Sequence, residues 1–269
     1  MRFTLGPALL FCPGDRPERY QKALDRADAV IIDLEDAVGH DDREFAREAL
    51  VDTALDPERT IVRVNPIGSH DFSADLSALQ ATAYRFVMVP KCESAEQLHA
   101  LTGYEIIALC ETAAGVLAAP LIARESGVVA LMWGAEDLVA SLGGTGSRHA
   151  DGRYRDVARY ARSAVLLAAG AAGIAAIDTV HPDIDDVDGL AGQARDAVGS
   201  GFHATACIHP SQVATIRDAY RPSDDAIAEA RAVIAAAAGA HGVFRHADRM
   251  VDAPLLRHAE AVLRRAEAG

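Results

Sequence analysis

Eight short, apolar, β-rich runs recur along the chain, each followed by an amphipathic stretch, and that alternation leaves few folds open. The runs are residues 8–12 (ALLFC), 29–34 (AVIIDL), 60–65 (TIVRVN), 86–91 (FVMVPK), 105–111 (EIIALCE), 128–134 (VVALMWG), 174–179 (IAAIDT) and 204–209 (ATACIH). Several are almost continuously apolar, as strands buried on both faces of a parallel sheet must be. Helical periodicity marks residues 42–50, 74–81, 94–101, 113–126, 154–172 and 183–197. Asp15-Arg16-Pro17-Glu18 offers an N-cap, a first-turn proline and a capping-box glutamate for the helix after the first run. Strict β-then-α repetition predicts a (β/α)8 TIM barrel. An open doubly wound sheet is the alternative, but it normally has fewer strands, and no GxGxxG follows any run here.

After the eighth run the pattern changes. Residues 211–220 and 223–238 read as helices, 242–252 (GVFRHADRMVD) as a hairpin, and 254–267 as a last helix. The expectation is one catalytic domain over 1–269, with 221–269 a short C-terminal helical appendage. The stretch between the sixth and seventh runs is the longest connection, and residues 143–153 within it, polar and rich in glycine, are expected to act as a lid over the barrel mouth.

Composition narrows the class. With 26 Lys and Arg against 39 Asp and Glu, the net charge is −13, which excludes a protein that holds nucleic acid or an anionic membrane surface through clustered cations. No run approaches the roughly 18 apolar residues of a membrane span, and residues 1–13 lack a secretory h-region. Cys12, Cys92, Cys110 and Cys207 have no metal-type spacing and read as reduced core thiols, so a cytoplasmic protein is expected.

In such a barrel the chemistry sits where strands end. There the sequence places Asp33, Glu35 and Asp36, Arg63 and Asn65, Lys91, Glu111, Glu136 and Asp137, Asp178, and His209. A crowd of carboxylates with two cations and one histidine repels itself and favours a hard divalent cation, Mg2+ or Mn2+, over zinc. Lys91 reads as a paired ammonium in place, Asp33 and Asp178 as organisers, and His209 as a strand-exit cap. Arg16, Arg19, Lys22 and Arg26 line one side of the first helix, a candidate surface for an anionic cofactor.

Nine stretches carry a family resemblance: LLFCPGDRPERYQKAL (9–24), DAVIIDLEDAV (28–38), IVRVN (61–65), VPK (89–91), ALCETAAGV (108–116), WGAEDL (133–138), AIDTVHPDIDD (176–186), GFHATACIHPSQV (201–213) and MVD (250–252). The chain resembles the citrate lyase β-subunit-like proteins of the HpcH/HpaI aldolase superfamily, Mg2+-dependent lyases of CoA thioesters. The resemblance implies that Glu111 and Asp137 hold Mg2+ and that Arg63 contacts the keto-acid or acyl portion of the substrate. Backbone donors at Gly134, Ala135 and Glu136 are then available to the keto-acid carboxylate, and Arg16 and Arg19 to the CoA phosphates. Glu35 and Asp36, orienting Lys91 or a water, are the acid–base candidates.

The implied reaction is reversible cleavage of a 3-hydroxy-carboxyacyl-CoA thioester, of citryl-, malyl- or citramalyl-CoA type, to an acyl-CoA and a keto acid. Two alternatives stay open, a thioesterase on the same substrates and a β subunit active only on a carrier-bound substrate. The implied assembly is a homotrimer or a dimer of trimers. Two departures stand out. Ala204-Thr205 replaces a Gly-Lys pair found in many members, which removes any contact made by that lysine. The sequence also ends soon after residue 267, where longer members carry an extension with an acidic group, so activities needing that group are not expected.

Overall fold

The computed structural model describes residues 3–238, 243–247 and 249–268, and its chain divides into two compact units, Met1–Ile216 and Arg217–Gly269. In the first unit eight strands close into a parallel barrel in sequence order. They are β1 (Ala8–Pro13), β2 (Ala29–Asp33), β3 (Thr60–Arg63), β4 (Phe86–Val89), β5 (Glu105–Cys110), β6 (Val128–Trp133), β7 (Ala175–Asp178) and β8 (Ala204–Cys207). The first and last pair directly, Ala8 beside Thr205 and Leu10 beside Cys207, so no edge strand remains. This is the predicted TIM barrel.

Seven helices lie between the strands, α5 and α6 both in the β6–β7 connection: α1 (Pro17–Arg26), α2 (Arg43–Asp52), α3 (Phe72–Gln80), α4 (Ala113–Ile122), α5 (Ala135–Ser141), α6 (Asp156–Ala172) and α7 (Val187–Ser200). Between β4 and β5 the expected helix over 94–101 shortens to a 3₁₀ turn, Glu96–Leu101. The predicted capping box before α1 does not form. Arg16 is the cap residue and its side chain makes no capping bond, while Asp15 lies 3.7 Å from the Arg16 guanidinium. Pro17 does open the helix, where a missing N–H costs nothing.

Leu9, Ile31, Ile61, Met88, Ile107, Leu109, Met132 and Ile177 fill the barrel core, with Phe3 and Leu5 packed among them. From β2 to β8 the strands end one or two residues earlier than the apolar runs, so the polar residues closing those runs lie at or just beyond the strand ends; β1 instead runs one residue further, to Pro13. The helix α8 (Gln212–Tyr220) follows β8. The second unit holds α9 (Asp224–Ala237), a two-stranded ribbon of β9 (Phe244–His246) and β10 (Arg249–Val251), and α10 (Ala253–Ala268), around Ala230, Val233, Val251, Ala259 and Val262. Two positions of the expected hairpin, Gly242 and Asp248, lie outside the described residues. Among the described residues no helix is long and apolar enough to cross a membrane.

Candidate active site

Strand parity decides which side chains enter the mouth of the barrel. Ile31 on β2, Ile61 on β3, Leu109 on β5 and Met132 on β6 belong to the core. Two residues further on stand Asp33, Arg63, Glu111 and Gly134, and the period of two carries all four to the top of the interior. The same rule turns Asp178 away, because its neighbour Ile177 faces inward.

Asp33 and Arg63 are direct register partners on β2 and β3. Arg63 Nε and Nη2 donate to Asp33 Oδ1 and Oδ2 at 2.7 and 2.6 Å, a bidentate pair. Arg63 Nη1 lies 3.0 Å from Glu35 Oε2 and 3.5 Å from Asp36 Oδ2, and its guanidinium carbon is 4.9 Å from the Phe11 ring centre. Burial opposes the guanidinium charge, but three carboxylates outweigh it, so Arg63 holds its proton more tightly than an ordinary arginine. Asp33 also folds the turn that carries Glu35, accepting from Glu35 N (2.9 Å) and Ala37 N (3.1 Å).

Lys91 follows β4 in the left-handed backbone region, φ 48°, unusual for a residue with a side chain. Its backbone N–H donates to Glu111 Oε1 at 3.0 Å, while its ammonium bonds Glu35 Oε1 and lies 3.7 Å from Asp36 and 3.8 Å from Asp137. Lys91 thus joins the Glu35–Asp36 pair to the Glu111–Asp137 pair. Burial pushes the Glu35 carboxyl up to about 7 against the pull of Arg63 and Lys91. Burial also acts on Asp36, but the hydrogen bond with Glu35 and the charges on Arg63 and Lys91 hold it below the usual range. A proton in this pair therefore resides on Glu35.

Glu111 is 2 % exposed, and burial followed by the charge of Asp137 pushes it up to about 8. Its seat is Gly134, where a Cβ would stand 2.7 Å from Glu111 Oε2. Asp137 occupies the first turn of α5 with its side chain 40 % exposed. Five carboxylates (Asp33, Glu35, Asp36, Glu111 and Asp137) face two cations, a formal balance of −5 + 2 = −3 when all are ionised.

That excess of oxygen donors suits a hard cation. Among the described residues no set of three or more His, Cys, Asp or Glu side chains is arranged around a metal position. A pair of carboxylates is nonetheless how Mg2+ is commonly held, water and substrate oxygens filling the remaining positions. Glu111 and Asp137 fit that role, since a cation between them relieves the repulsion that raises Glu111.

Other expectations resolve differently. The gathering of seven acids and a histidine at the mouth is smaller than the sequence suggested. Asp178 is fully buried behind β7, accepting from Trp133 Nε1 (2.6 Å) and from Arg162 Nε and Nη2 (3.1 and 3.0 Å), which makes it a structural anchor for α6. Glu136 turns its carboxylate to the Ser147 hydroxyl, from which it accepts a hydrogen bond. His209 is exposed and pairs with Ser211 Oγ at 2.7 Å, as a strand-exit cap does. Arg16 and Arg19 are exposed at the start of α1, 3.7 Å from Asp15 and 3.6 Å from Glu18, on the rim where β1 ends.

The profile of the HpcH/HpaI aldolase/citrate lyase family matches residues 8–210, the whole span from the first strand to just beyond the eighth. The chain belongs to that family. A citrate lyase subunit beta-like protein of Mycobacterium tuberculosis is 56% identical over 261 residues, covering 97% of this chain and 96% of the relative. An L-malyl-CoA/beta-methylmalyl-CoA lyase of Cereibacter sphaeroides is 31% identical, covering 96% of this chain and 93% of its own. A crystal structure of Mycobacterium tuberculosis CitE in complex with magnesium, acetoacetate and coenzyme A superposes with a TM-score of 0.92 at 55% identity, covering 98% of each chain. The HpcH/HpaI family is one of metal-dependent lyases, and this chain is a member along its barrel.

Sequence reasoning passed over one supporting carboxylate. Asp75 on α3 is buried and accepts from Asn65 N (2.7 Å) and Asn65 Nδ2 (2.8 Å), and Asn65 Nδ2 also donates to Leu34 O (2.8 Å) beside Glu35. The available signal was its spacing, since Asp75 sits between Phe72 and Leu79 on the buried face of α3.

Proposed function

We propose that this chain is a Mg2+-dependent carbon–carbon lyase, with Mn2+ as an acceptable substitute. It cleaves, or in reverse forms, a 3-hydroxy-carboxyacyl-CoA thioester of citryl-, malyl- or citramalyl-CoA type, giving an acyl-CoA and a keto acid. The observation that carries this reading is the pairing of Glu111 and Asp137 beside the Glu35–Lys91–Arg63 cluster at the strand ends. The Mycobacterium tuberculosis relative crystallised with magnesium, acetoacetate and coenzyme A supports it.

When bound between Glu111 and Asp137, Mg2+ supplies charge for the substrate carboxylate and polarises the neighbouring C–O bond. Cleavage requires removal of the hydroxyl proton. The C–O bond then becomes C=O, the C–C pair moves to the thioester α-carbon, and a proton returns to that carbon. Glu35 accepts the hydroxyl proton in its ionised form, directly or through a water held by Lys91 or Asp36. A positioned base of this kind contributes roughly 10²–10⁴-fold. Arg63 offers its remaining N–H donors to the enolate oxygen, where negative charge grows. The backbone at Gly134, Ala135 and Glu136 receives the keto-acid carboxylate, and Arg16 and Arg19 face the CoA phosphates. A homotrimer or dimer of trimers is the proposed assembly.

The test is a mass-spectrometric product screen. Chelator-stripped protein is incubated with a panel of hydroxy-dicarboxylyl and hydroxy-tricarboxylyl CoA thioesters, with and without Mg2+. Acetyl-CoA or propionyl-CoA plus a keto acid, formed only with Mg2+, is the expected result and names the acyl group. Free CoA with an intact hydroxy acid identifies a thioesterase instead. No turnover of any CoA thioester points to a carrier-bound substrate and a partner subunit.

A further inference from the structure

The turn that carries Glu35 is held from two sides. Asp33 is the first support, taking the Glu35 and Ala37 N–H groups on its two carboxylate oxygens. The second comes from the end of β3. Leu34, the residue before Glu35, donates its N–H to Arg63 O at 2.9 Å, and its carbonyl accepts from Asn65 Nδ2 at 2.8 Å. Both polar groups of the Leu34 backbone are thus tied to β3 and its exit, and the Glu35 backbone starts from that fixed point. Asn65 is buried. Exchanging its amide oxygen and nitrogen would set an oxygen against the Leu34 carbonyl and the Asp75 carboxylate, so the neighbours settle its orientation.

Asn65 is fixed in its turn by a single carboxylate oxygen. Asp75 Oδ2 accepts from Asn65 N at 2.7 Å and from Asn65 Nδ2 at 2.8 Å, while Oδ1 accepts from Arg47 Nη1 of α2 at 3.1 Å. Arg47 also reaches Asp71 Oδ1 at 3.2 Å, and Asp71 pairs with Arg43 nearer the surface. An apolar side chain would fill the place of Asp75 on the buried face of α3 without the cost of desolvating a charge. What only an acceptor supplies there is the hold on Asn65.

We propose that Asp75 and Asn65 are positioning residues for Glu35, fixing the Leu34 peptide so that the Glu35 carboxylate stays between Arg63 and Lys91. The inference rests on Glu35 as the proton acceptor of the lyase reaction. Arg63 and Lys91 grip Glu35 at its carboxylate, through Oε2 and Oε1. Both cations also face the substrate, so their grip changes when the site fills. Asn65 and Asp75 receive neither substrate nor Mg2+ in that reaction, and their bonds to the turn persist through it. A base displaced by about 1 Å loses up to about 10²-fold in rate.

The test has a substrate-free arm and a turnover arm, both on the full chain. Asn65→Ala keeps the backbone bond to Asp75 and removes the hold on Leu34 O. Asp75→Asn keeps both bonds to Asn65, since two donors there claim the amide oxygen over the single Arg47 donor, but it gives up the ion pair with Arg47. Asp75→Ala removes all three bonds. Native-state exchange of the Glu35 and Val38 amides, which donate to Asp33 Oδ1 and Glu35 O, reads the turn without substrate. Exchange should quicken about tenfold or more in Asn65→Ala and Asp75→Ala and stay at the parent rate in Asp75→Asn. In the turnover arm kcat should fall about 10–100-fold in the same two variants and recover in Asp75→Asn, with KM and Mg2+ affinity within about twofold of the parent. Arg43→Met, which removes the outer pair with Asp71, should lower the urea midpoint and change neither exchange nor kcat. Parent exchange or parent kcat in Asn65→Ala overturns the proposal, as does a rate loss equal in Asp75→Asn and Asp75→Ala, or one confined to KM. A parent protein that turns over no thioester defeats the lyase reading, while the exchange arm still decides whether the pair holds the turn.

Discussion

Gly134→Ala is the substitution that most directly probes how the metal pair is seated. An added Cβ would lie 2.7 Å from Glu111 Oε2 and 2.9 Å from Glu111 Cβ, against an ordinary contact of at least 3.4 Å. The Glu111 carboxylate must then move by ~0.7 Å, and it cannot swing aside freely because Oε1 is held by the Lys91 N–H at 3.0 Å. Mg2+ binds oxygen at about 2.0–2.1 Å with near-ideal octahedral demands, so a shift of this size is a third of a bond length. The expected loss is about 10–100-fold in Mg2+ affinity, equivalent to roughly 1.4–2.7 kcal/mol. Overpacking at this spot should also cost the fold about 1–3 kcal/mol. Calorimetric titration of chelator-stripped protein with Mg2+ measures the first, and urea unfolding followed by circular dichroism the second. Gly170→Ala is the matched control. Gly170 lies on α6 with nothing within 4 Å of its would-be Cβ. That variant should bind Mg2+ unchanged and gain up to about 1 kcal/mol of helix stability. A folded Gly134→Ala protein with the parent's Mg2+ affinity would refute the reasoning, since Glu111 would then not be held by its contact with Gly134.

Three further outcomes follow from the same geometry. Glu111→Gln and Asp137→Asn should each abolish Mg2+-dependent turnover in the product screen while the circular dichroism spectrum stays that of the parent. Arg162→Met removes the bidentate partner of fully buried Asp178, and urea unfolding at neutral pH should show a loss of about 3–5 kcal/mol. Because burial raises Glu35 to about 7 and it must be ionised to take a proton, kcat/KM should rise about tenfold per pH unit below that point and level off above it. Glu35→Gln should remove that rising limb along with most of the rate, and a limb that survives unchanged in Glu35→Gln would assign it to another group.

Local pattern alone was enough for the barrel. Apolar runs of five to seven residues alternating with helical stretches admit one closed arrangement, because each strand must be covered by the helix that follows it. The acids were legible from their place at the ends of the runs, and period-two alternation explains which of them face inward: Ile31 precedes Asp33 and Leu109 precedes Glu111 by two residues. The same parity, applied to Ile177, would have turned Asp178 outward, where it meets Arg162 and Trp133.

What chain order could not supply was the choice of partners. Lys91 meets Glu35 across 56 residues and Arg63 meets Asp33 across 30. The Arg63–Asp33 pair depends on which strands are neighbours, and the Lys91–Glu35 pair also on the left-handed turn at Lys91. A carboxylate's protonation depends on how dry its surroundings are and which charges lie within a few ångströms, so Glu35 and Asp36, adjacent in sequence, come to opposite shifts. The capping box failed because backbone geometry made Arg16 the cap and set Asp15 beside its guanidinium instead. Hydrophobic periodicity is a property of the chain. Distances between side chains, and the charge states they impose on each other, belong to the closed barrel.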